Sequence, residues 1–189
     1  MSSNKKETYI SIDIETNGPV PGIYSMLSLG AVAYDDQGNK LDTFYVNITE
    51  LEDAKTDPDT MRWWSTEPEA WKALQVNRRD PATAMKLFED FCLKFSKPVA
   101  ICYPSGFDWT FVYWYLHRFN GKSVLGFSCV DIKTYGMAIL DTNFRDSKKS
   151  EYYDDWFDPN LKHTHNAIDD ALEQGYLFFK MKEYNKRLQ

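Results

Sequence analysis

Two acidic side chains near the amino terminus, Asp13 and Glu15, have a spacing that suits a metal-binding pair. They lie in residues 8–15, where isoleucines alternate with polar residues in the period-two pattern of a β-strand. Side chains two positions apart point to the same face of a strand and stand about 7 Å apart. Two carboxylates this close repel one another and lose solvation unless a cation or a hydrogen-bond donor compensates. The pattern is compatible with a metal site and with a solvent-facing pair.

A third carboxylate, Asp108, follows a short apolar segment and opens a helical pattern. An aspartate in that position is stabilised as a helix cap by free N–H groups and by the helix dipole. The same position is the carboxyl end of a predicted parallel strand, where ligands gather in α/β sheets. The residue type and its place therefore leave a cap and a site carboxylate both open.

The predicted last helix follows His165 and contains two adjacent aspartates, Asp169 and Asp170. Helical periodicity places Asp169 on a stripe with Glu173, which we interpret as a solvated face. Asp170 falls on a more mixed stripe that also contains Gln174 and that suits partial burial. The periodicity therefore favours Asp170 as the site carboxylate.

The pattern around these residues predicts an α/β domain. Strands at 8–15, 29–34 and 43–48, the last two separated by turn-forming residues at 35–39, indicate an antiparallel meander. The predicted elements that follow are helices 57–65, 67–74 and 81–95, strand 99–103, helix 107–119, strand 127–130, and helices 132–140 and 166–188. This order predicts a mixed β-sheet, with an antiparallel meander and then parallel strands, flanked by α-helices.

The length of the chain predicts one domain. Its 189 residues, 43% of them hydrophobic, suffice for a single core, so we expect one domain over residues 1–189. The polar residues 1–7 suggest a flexible amino terminus. Residues 142–164 are polar and irregular, and such long connections are often functional or mobile, so we expect a mobile loop there.

The sequence shows no pattern of a targeting signal, and together with its cysteines this suggests a cytoplasmic protein. The apolar runs are far shorter than the ~18 residues of a membrane span, and no apolar stretch follows the first lysines. The three cysteines are odd in number and far apart, so we expect buried, reduced thiols. They are Cys92, Cys102 and Cys129.

The net charge of −6 argues against a protein that coats nucleic acid without regard to sequence, because such binding depends on lysine and arginine. It does not exclude an enzyme whose carboxylates hold cations, since bound metals reverse the local field. The basic pairs Arg78–Arg79 and Lys148–Lys149 fit either a functional patch or an ordinary solvated face.

Three blocks of the sequence resemble the motifs of one nuclease family. SIDIET (11–16), SGFDWTFV (105–112) and HNAIDDA (165–171) are similar, in order and spacing, to motifs I, II and III of the DnaQ-like, DEDDh 3′-to-5′ exonucleases. These proteins have a ribonuclease H-like fold. In the family the last aspartate follows the histidine by five residues, which matches His165 and Asp170 and leaves His163 outside the motif. The tyrosine variant would have Tyr where this chain has Asn166.

The resemblance implies a catalytic site with two divalent cations, Mg²⁺ or Mn²⁺. Asp13, Glu15 and Asp170 would hold the first, and Asp13 with Asp108 the second, partly through water. Hard oxygen ligands suit these ions. His165 would be the general base that takes a proton from the attacking water, a role that suits an imidazole.

The resemblance also implies a binding site for the 3′ end. The predicted substrate-binding residues are Thr16, Asn17, Gly18, Met26, Leu27, Trp63 and Trp64. The first three lie at the end of motif I and directly after it, where the family approaches the terminal sugar, and Met26 or Leu27 would wedge against its base. Either tryptophan is a candidate for base stacking, although aromatic residues at helical spacing are more often part of a core.

Within the family, the chain is similar to compact exoribonucleases such as RNase T, oligoribonuclease and the RNase AS-like group. DPDTMRWW (57–64) and CVDIKTYGMAIL (129–140) resemble the last of these. The similarity implies a nucleic-acid substrate with a free 3′ end, RNA favoured over DNA, and is compatible with a homodimer. Two alternatives stay open: a metal-dependent phosphohydrolase acting on small nucleotides, and a catalytically inert relative that binds nucleic acid.

Overall fold

The computed structural model describes residues 6–188. Its strands are β1 (Thr8–Thr16), β2 (Met26–Tyr34), β3 (Lys40–Asn47), β4 (Pro98–Cys102) and β5 (Val130–Asp131). Its helices are α1 (Pro58–Trp64), α2 (Pro68–Leu74), α3 (Pro81–Leu93), α4 (Ser105–Asn120), α5 (Ile132–Leu140) and α6 (Ala167–Leu188). Two 3-10 helices, Lys149–Glu151 and Asp154–Trp156, lie between α5 and α6.

The five strands form one mixed sheet in the order β3-β2-β1-β4-β5. Strand β2 is antiparallel to β1 and β3, whereas β4 is parallel to both β1 and β5. The predicted α/β class, with an antiparallel meander followed by parallel strands, is confirmed. Because β1 lies at the centre, both its faces are covered by helices.

The isoleucines of β1 form the centre of the main core. Ile10, Ile12 and Ile14 are buried and pack in one cluster with side chains of α3 and α4. Side chains of α5 and α6 form a second cluster that includes Ile101 of β4. The alternation of β1 thus directs its isoleucines towards α3 and α4 and its polar side chains towards α6. The two unlike faces that the pattern predicted are confirmed.

A glycine in β2 sets the position of α6. A Cβ atom on Gly30 would lie 2.2 Å from the backbone carbonyl oxygen of Ala167, the first residue of α6. Only a residue without a side chain therefore allows this close approach of helix and strand. The contact brings the first turn of α6 onto the sheet beside β1.

Some predicted boundaries were wrong. Strand β2 begins at Met26 rather than at residue 29, and β5 contains only Val130 and Asp131. These two residues pair with Ile101 and Cys102 of β4, whereas Phe127 lies outside the sheet with its side chain exposed. The sequence predicts a strand at 127–130, but within the described part of the chain no neighbouring strand pairs with residues 127–129.

The segment 142–164 is anchored by buried side chains. Tyr152 and Trp156 are buried in the second cluster, and the Ser147 hydroxyl donates a hydrogen bond to the Lys133 carbonyl oxygen. The mobility of this segment stays a prediction. Of the predicted flexible terminus, residues 1–5 lie outside the described range, while Lys6 pairs with Asp36.

Two further expectations have structural outcomes. All three cysteines are free; Cys92 and Cys102 are buried and Cys129 is partly buried. Between residues 6 and 188, no helix combines the length and apolar character needed to cross a membrane.

Candidate active site

Motif I lies at the end of β1 that faces the start of α6. Asp13 and Glu15 share the face opposite the isoleucines, and the strand pairing shifts register between Glu15 and Thr16. The Gln174 side-chain amide donates hydrogen bonds to the Ile12 carbonyl oxygen, at 3.0 Å, and to the Asp13 carboxylate, at 3.2 Å. α6 therefore orients Asp13 through Gln174.

Asp170 completes a cluster of three carboxylates. Its side chain is 2% exposed and accepts a hydrogen bond of 2.9 Å from the Thr164 backbone N–H. Asp13, Glu15 and Asp170 each offer a carboxylate oxygen, and these atoms lie within 4.8 Å of one another. The adjacent Asp169 is partly exposed, stands outside this cluster and accepts a hydrogen bond from the Thr164 hydroxyl. The structure thus separates the two aspartates as the helical periodicity suggested.

Asp108 lies in the first turn of α4, with 3% of its surface exposed. The residue in the capping position of α4 is Pro104, so Asp108 is not the capping aspartate. Burial raises the pKa of the Asp108 carboxyl well above its ordinary value, although hydrogen bonds from the Ile14 and Asp108 backbones oppose the shift. Its negative charge also reaches Asp13, where it raises the pKa.

The electrostatics of the cluster fit divalent cations. Burial raises the pKa of Asp13 well above its ordinary value, and the charges of Asp108 and Asp170 raise it further. Burial, followed by the charges of Asp13 and Asp170, does the same for Glu15. Crowded carboxylates of this kind are stabilised in their charged form by a nearby cation. An all-oxygen donor set matches the preference of Mg²⁺ and Mn²⁺.

Two histidines border the carboxylates. The loop before α6 turns sharply at His165, whose φ of 56° lies in the left-handed region. Ligand atoms of His163, His165 and Asp170 lie within 4.8 Å of one another, and the His165 ring contacts Trp63 edge-on with centroids 4.8 Å apart. His165 therefore lies at the edge of the carboxylate cluster, on the side of α1.

His163 belongs to an ion-pair network that the sequence did not predict. Its Nδ1 lies 3.0 Å from an Asp170 oxygen and 3.7 Å from a Glu173 oxygen. The hydrogen bonds to Asp170 and Glu173 raise the pKa of His163 to about 10. Lys149 also pairs with Glu173. Burial alone would raise the pKa of the Glu173 carboxyl, but the His163 hydrogen bond and the Lys149 charge lower it below its ordinary value.

This network corrects one prediction and adds residues to the site. Glu173, expected on a solvated face, is buried. The tertiary fold is the reason, because the segment before α6 brings Lys149 and His163 over that part of the helix. In the sequence, the basic pair at 148–149 was a weak indication that Lys149 belongs to the site. The helical stripe that Gln174 shares with Asp170 was the corresponding indication for Gln174.

The predicted substrate-binding residues separate into exposed and buried groups. Trp63 is 40% exposed, whereas Trp64 is 2% exposed and its indole N–H donates to the Thr16 carbonyl oxygen. Met26 and Leu27 are buried, so neither contacts a base in this conformation. Trp64 is likewise unavailable for stacking and instead supports the end of β1. The cause is α1, which packs Trp64 and Leu27 into one small cluster.

The residues after motif I line a small cavity beside the carboxylates. The cavity has a volume of about 230 Å³ and is lined by Glu15, Thr16, Gly18, Pro19, Thr60, Trp63 and Phe107. Asn17 is buried, and its side-chain oxygen accepts a hydrogen bond of 2.7 Å from the Ser25 backbone N–H. Asn17 therefore shapes the loop, while Thr16, Gly18 and Trp63 face the cavity.

Comparison with known proteins decides the family. The family described as "3'-5' exoribonuclease Rv2179c-like domain" matches residues 8–180. The chain belongs to this family. As a family member it is 30% identical over 177 residues to "3'-5' DNA exonuclease Cap18" of Escherichia coli, with 92% of this chain and 90% of the relative covered. The enzyme is therefore a 3′-5′ exonuclease.

Solved structures share the fold of this Rv2179c-like exonuclease. The nuclease domain of 3'hExo, a DEDDh family member bound to rAMP, superposes with a TM-score of 0.66 at 13% identity, over 97% of this chain and 94% of that chain. Pop2p of S. pombe, in a form with Mg²⁺ and Mn²⁺ bound, gives a TM-score of 0.69 at 19% identity, over 93% of this chain and 82% of that chain. The ribonuclease H-like DEDDh architecture expected from the motifs is confirmed.

Proposed function

We propose that this exonuclease uses two divalent cations, Mg²⁺ or Mn²⁺, held by Asp13, Glu15, Asp108 and Asp170. The observation that carries the proposal is the cluster of Asp13, Glu15 and Asp170, whose carboxylate oxygens lie within 4.8 Å of one another. Asp108 is buried, and its charge acts on Asp13. When bound, the cations would stabilise the charge that develops on the phosphoryl group and on the leaving 3′ oxygen. Gln174 would hold Asp13 in the orientation that binding requires.

His165 is the proposed general base. It lies at the edge of the carboxylates and is partly exposed, so a water molecule has access to its ring. The imidazole would accept the proton of that water as its oxygen attacks phosphorus. His163 is already hydrogen-bonded to Asp170 and Glu173, and so it is less suited to this role. We expect His165→Ala to keep metal binding and to lose about 10²- to 10⁴-fold in turnover.

The small cavity beside Glu15 is the proposed site of the 3′-terminal nucleotide. Trp63 and Phe107 would offer aromatic surface for the base, and Thr16 and Gly18, which line the same cavity, would approach the sugar. Glu15 and Thr60 provide oxygen atoms that can accept a hydrogen bond from a ribose 2′-hydroxyl. These acceptors, together with the exoribonuclease description of the family, support RNA as the preferred substrate.

The test of substrate preference is digestion of matched RNA and DNA oligonucleotides with 3′ overhangs in Mg²⁺, beside an Asp13→Ala control. We expect single nucleotides to be released from the 3′ end, faster from RNA. Equal rates, or faster release from DNA, would contradict the RNA preference and agree with the substrate named for the Escherichia coli relative.

A blocked 3′ end separates the exonuclease from the rival phosphohydrolase. Oligonucleotides that carry a 3′-phosphate should resist digestion, because the added negative charge would lie in the cavity that the Glu15 carboxylate lines. Release of phosphate from mononucleotides would instead favour the phosphohydrolase.

Three further expectations stay predictions: a single-domain organisation over residues 1–189, a cytoplasmic location and a homodimer. Sedimentation of the purified chain would test the dimer.

A further inference from the structure

Phe127 is exposed to an unusual degree. Its side chain is 82% exposed, more than any other large hydrophobic residue within 6–188. Single exposed apolar residues are common on proteins, so exposure alone carries no argument. The surroundings of Phe127 provide one, because the segment that carries it is anchored and contacts Trp109, which follows Asp108 in α4.

The segment around Phe127 is anchored on both sides. Leu125 is buried in the main core, and Cys129 packs against the same core before β5 begins. Gly126, with a φ of 76°, makes a turn that glycine favours, and nothing lies within 4 Å of the position of a Cβ there. The Phe127 carbonyl oxygen accepts a hydrogen bond of 3.4 Å from the Trp109 indole. Phe127 is therefore an apolar ring presented to solvent from an anchored turn.

The Trp109 contact places Phe127 relative to the site. Phe107, Asp108 and Trp109 are consecutive at the start of α4. Phe107 lines the terminal-nucleotide cavity, Asp108 is a carboxylate of the site, and Trp109 holds Phe127. The cavity, the carboxylates and Phe127 thus follow one another around one helical turn. If the 3′ nucleotide fills the cavity and the scissile phosphate lies at the carboxylates, this order would bring the next bases of the strand to the side of Phe127.

We propose that Phe127 stacks on a base of the substrate on the 5′ side of the scissile phosphate. The proposal rests on the proposed function. An exposed aromatic ring suits this role because every base has a flat π-face, so stacking holds single-stranded nucleic acid regardless of sequence. Phe127 contributes binding energy outside the reacting centre and thereby positions the strand.

The test is an abasic scan of an oligonucleotide, in which one base at a time is removed from the positions 5′ of the terminal nucleotide. We expect kcat/KM of the unmodified enzyme to fall about 5- to 150-fold at one of these positions, the equivalent of one lost stacking contact. Phe127→Ala should show the same fall on the intact oligonucleotide. The kcat/KM of Phe127→Ala should not fall further when the base at that position is missing. The kcat/KM of Phe127→Trp should still fall when that base is removed.

Leu93→Ala is the matched control, because it removes another exposed apolar side chain, 62% exposed, at the end of α3 next to the start of β4. It should behave as the unmodified enzyme on every substrate. The proposal is overturned if Phe127→Ala digests the intact oligonucleotide normally, or if it loses the same factor on intact and abasic substrates at every position. Failure of the unmodified enzyme to release 3′ nucleotides from the intact oligonucleotide would instead contradict the proposed function.

Discussion

The two faces of β1 differ in what they bury. Ile10, Ile12 and Ile14 pack against α3 and α4 in a dense apolar cluster. The opposite face places Asp13 and Glu15 against the start of α6, where burial and the charges of neighbouring carboxylates raise the pKa of both carboxyls. One face therefore stabilises the fold, while the other holds acidic groups whose charged form is unfavourable without a cation. A single strand separates stability from chemistry because its side chains alternate.

The largest effect is expected from a substitution in the carboxylate cluster at the acidic face of β1. Asp170→Asn removes one charge from the carboxylate cluster, so we expect turnover in Mg²⁺ to fall by at least about 10³-fold, as several kcal/mol of charge stabilisation are lost. Asp169→Asn is the matched control, because Asp169 stands outside the cluster and bonds Thr164. Comparable losses in both variants, measured as nucleotide release, would contradict the assignment of Asp170.

A second variant breaks the apolar face. Ile12→Ala leaves a cavity in the main core, and we expect the free energy of unfolding to fall by about 2 to 5 kcal/mol. Activity per folded molecule should change little, since Ile12 faces away from the carboxylates. Urea denaturation measures the stability, with the half-exposed Leu41→Ala as control. A large loss of activity in fully folded Ile12→Ala would show that the two faces are not independent.

Metal addition sharpens the comparison without an activity assay. A cation that binds only the folded protein stabilises it by about 2.7 kcal/mol when present at 100 times its dissociation constant. We expect Mg²⁺ to raise the Tm of the unmodified protein and of Leu41→Ala, and to leave the Tm of Asp13→Asn nearly unchanged. A monovalent salt of equal ionic strength is the control. An equal rise in Tm for all three proteins would mean that Mg²⁺ acts elsewhere.

The smallest expected effect concerns the link between α6 and β1. Gln174→Leu keeps a side chain of similar size but removes the hydrogen bonds to the Ile12 carbonyl and the Asp13 carboxylate. We expect metal affinity or turnover to fall by about 10- to 100-fold, as is typical when a group that orients a metal ligand is lost. Gln37→Leu, in the exposed turn between β2 and β3, should match the unmodified enzyme in the same titration.

Much of the site follows from local sequence patterns. The alternation in residues 8–15 predicts which face carries Asp13 and Glu15, because the two-residue period is a property of the extended backbone. Helical periodicity separates Asp169 from Asp170 for the same kind of reason. The choice of His165 relied on family resemblance, in which the histidine precedes the last aspartate by five positions. No rule of local structure places a histidine in the loop before the helix.

Other parts of the site depend on packing between distant segments. The pairing of Lys149 with Glu173 joins the long connection before α6 to the helix, and the Gln174 hydrogen bonds join residues more than 160 positions apart in the chain. The same applies to burial: Trp63 and Trp64 are adjacent and chemically identical, yet one is half-exposed and the other supports β1.

Periodicity and motif resemblance together predict the class of fold, the candidate carboxylates and His165, but of these two signals only periodicity is a local property of the backbone. The tertiary structure decides which of these groups meet, how strongly their pKa values shift, and which aromatic rings remain accessible. The physical reason is that desolvation, repulsion and stacking depend on distances across the sheet. For β1, the sequence predicts two unlike faces, and only the approach of α6 at Gly30 turns one of them into a site.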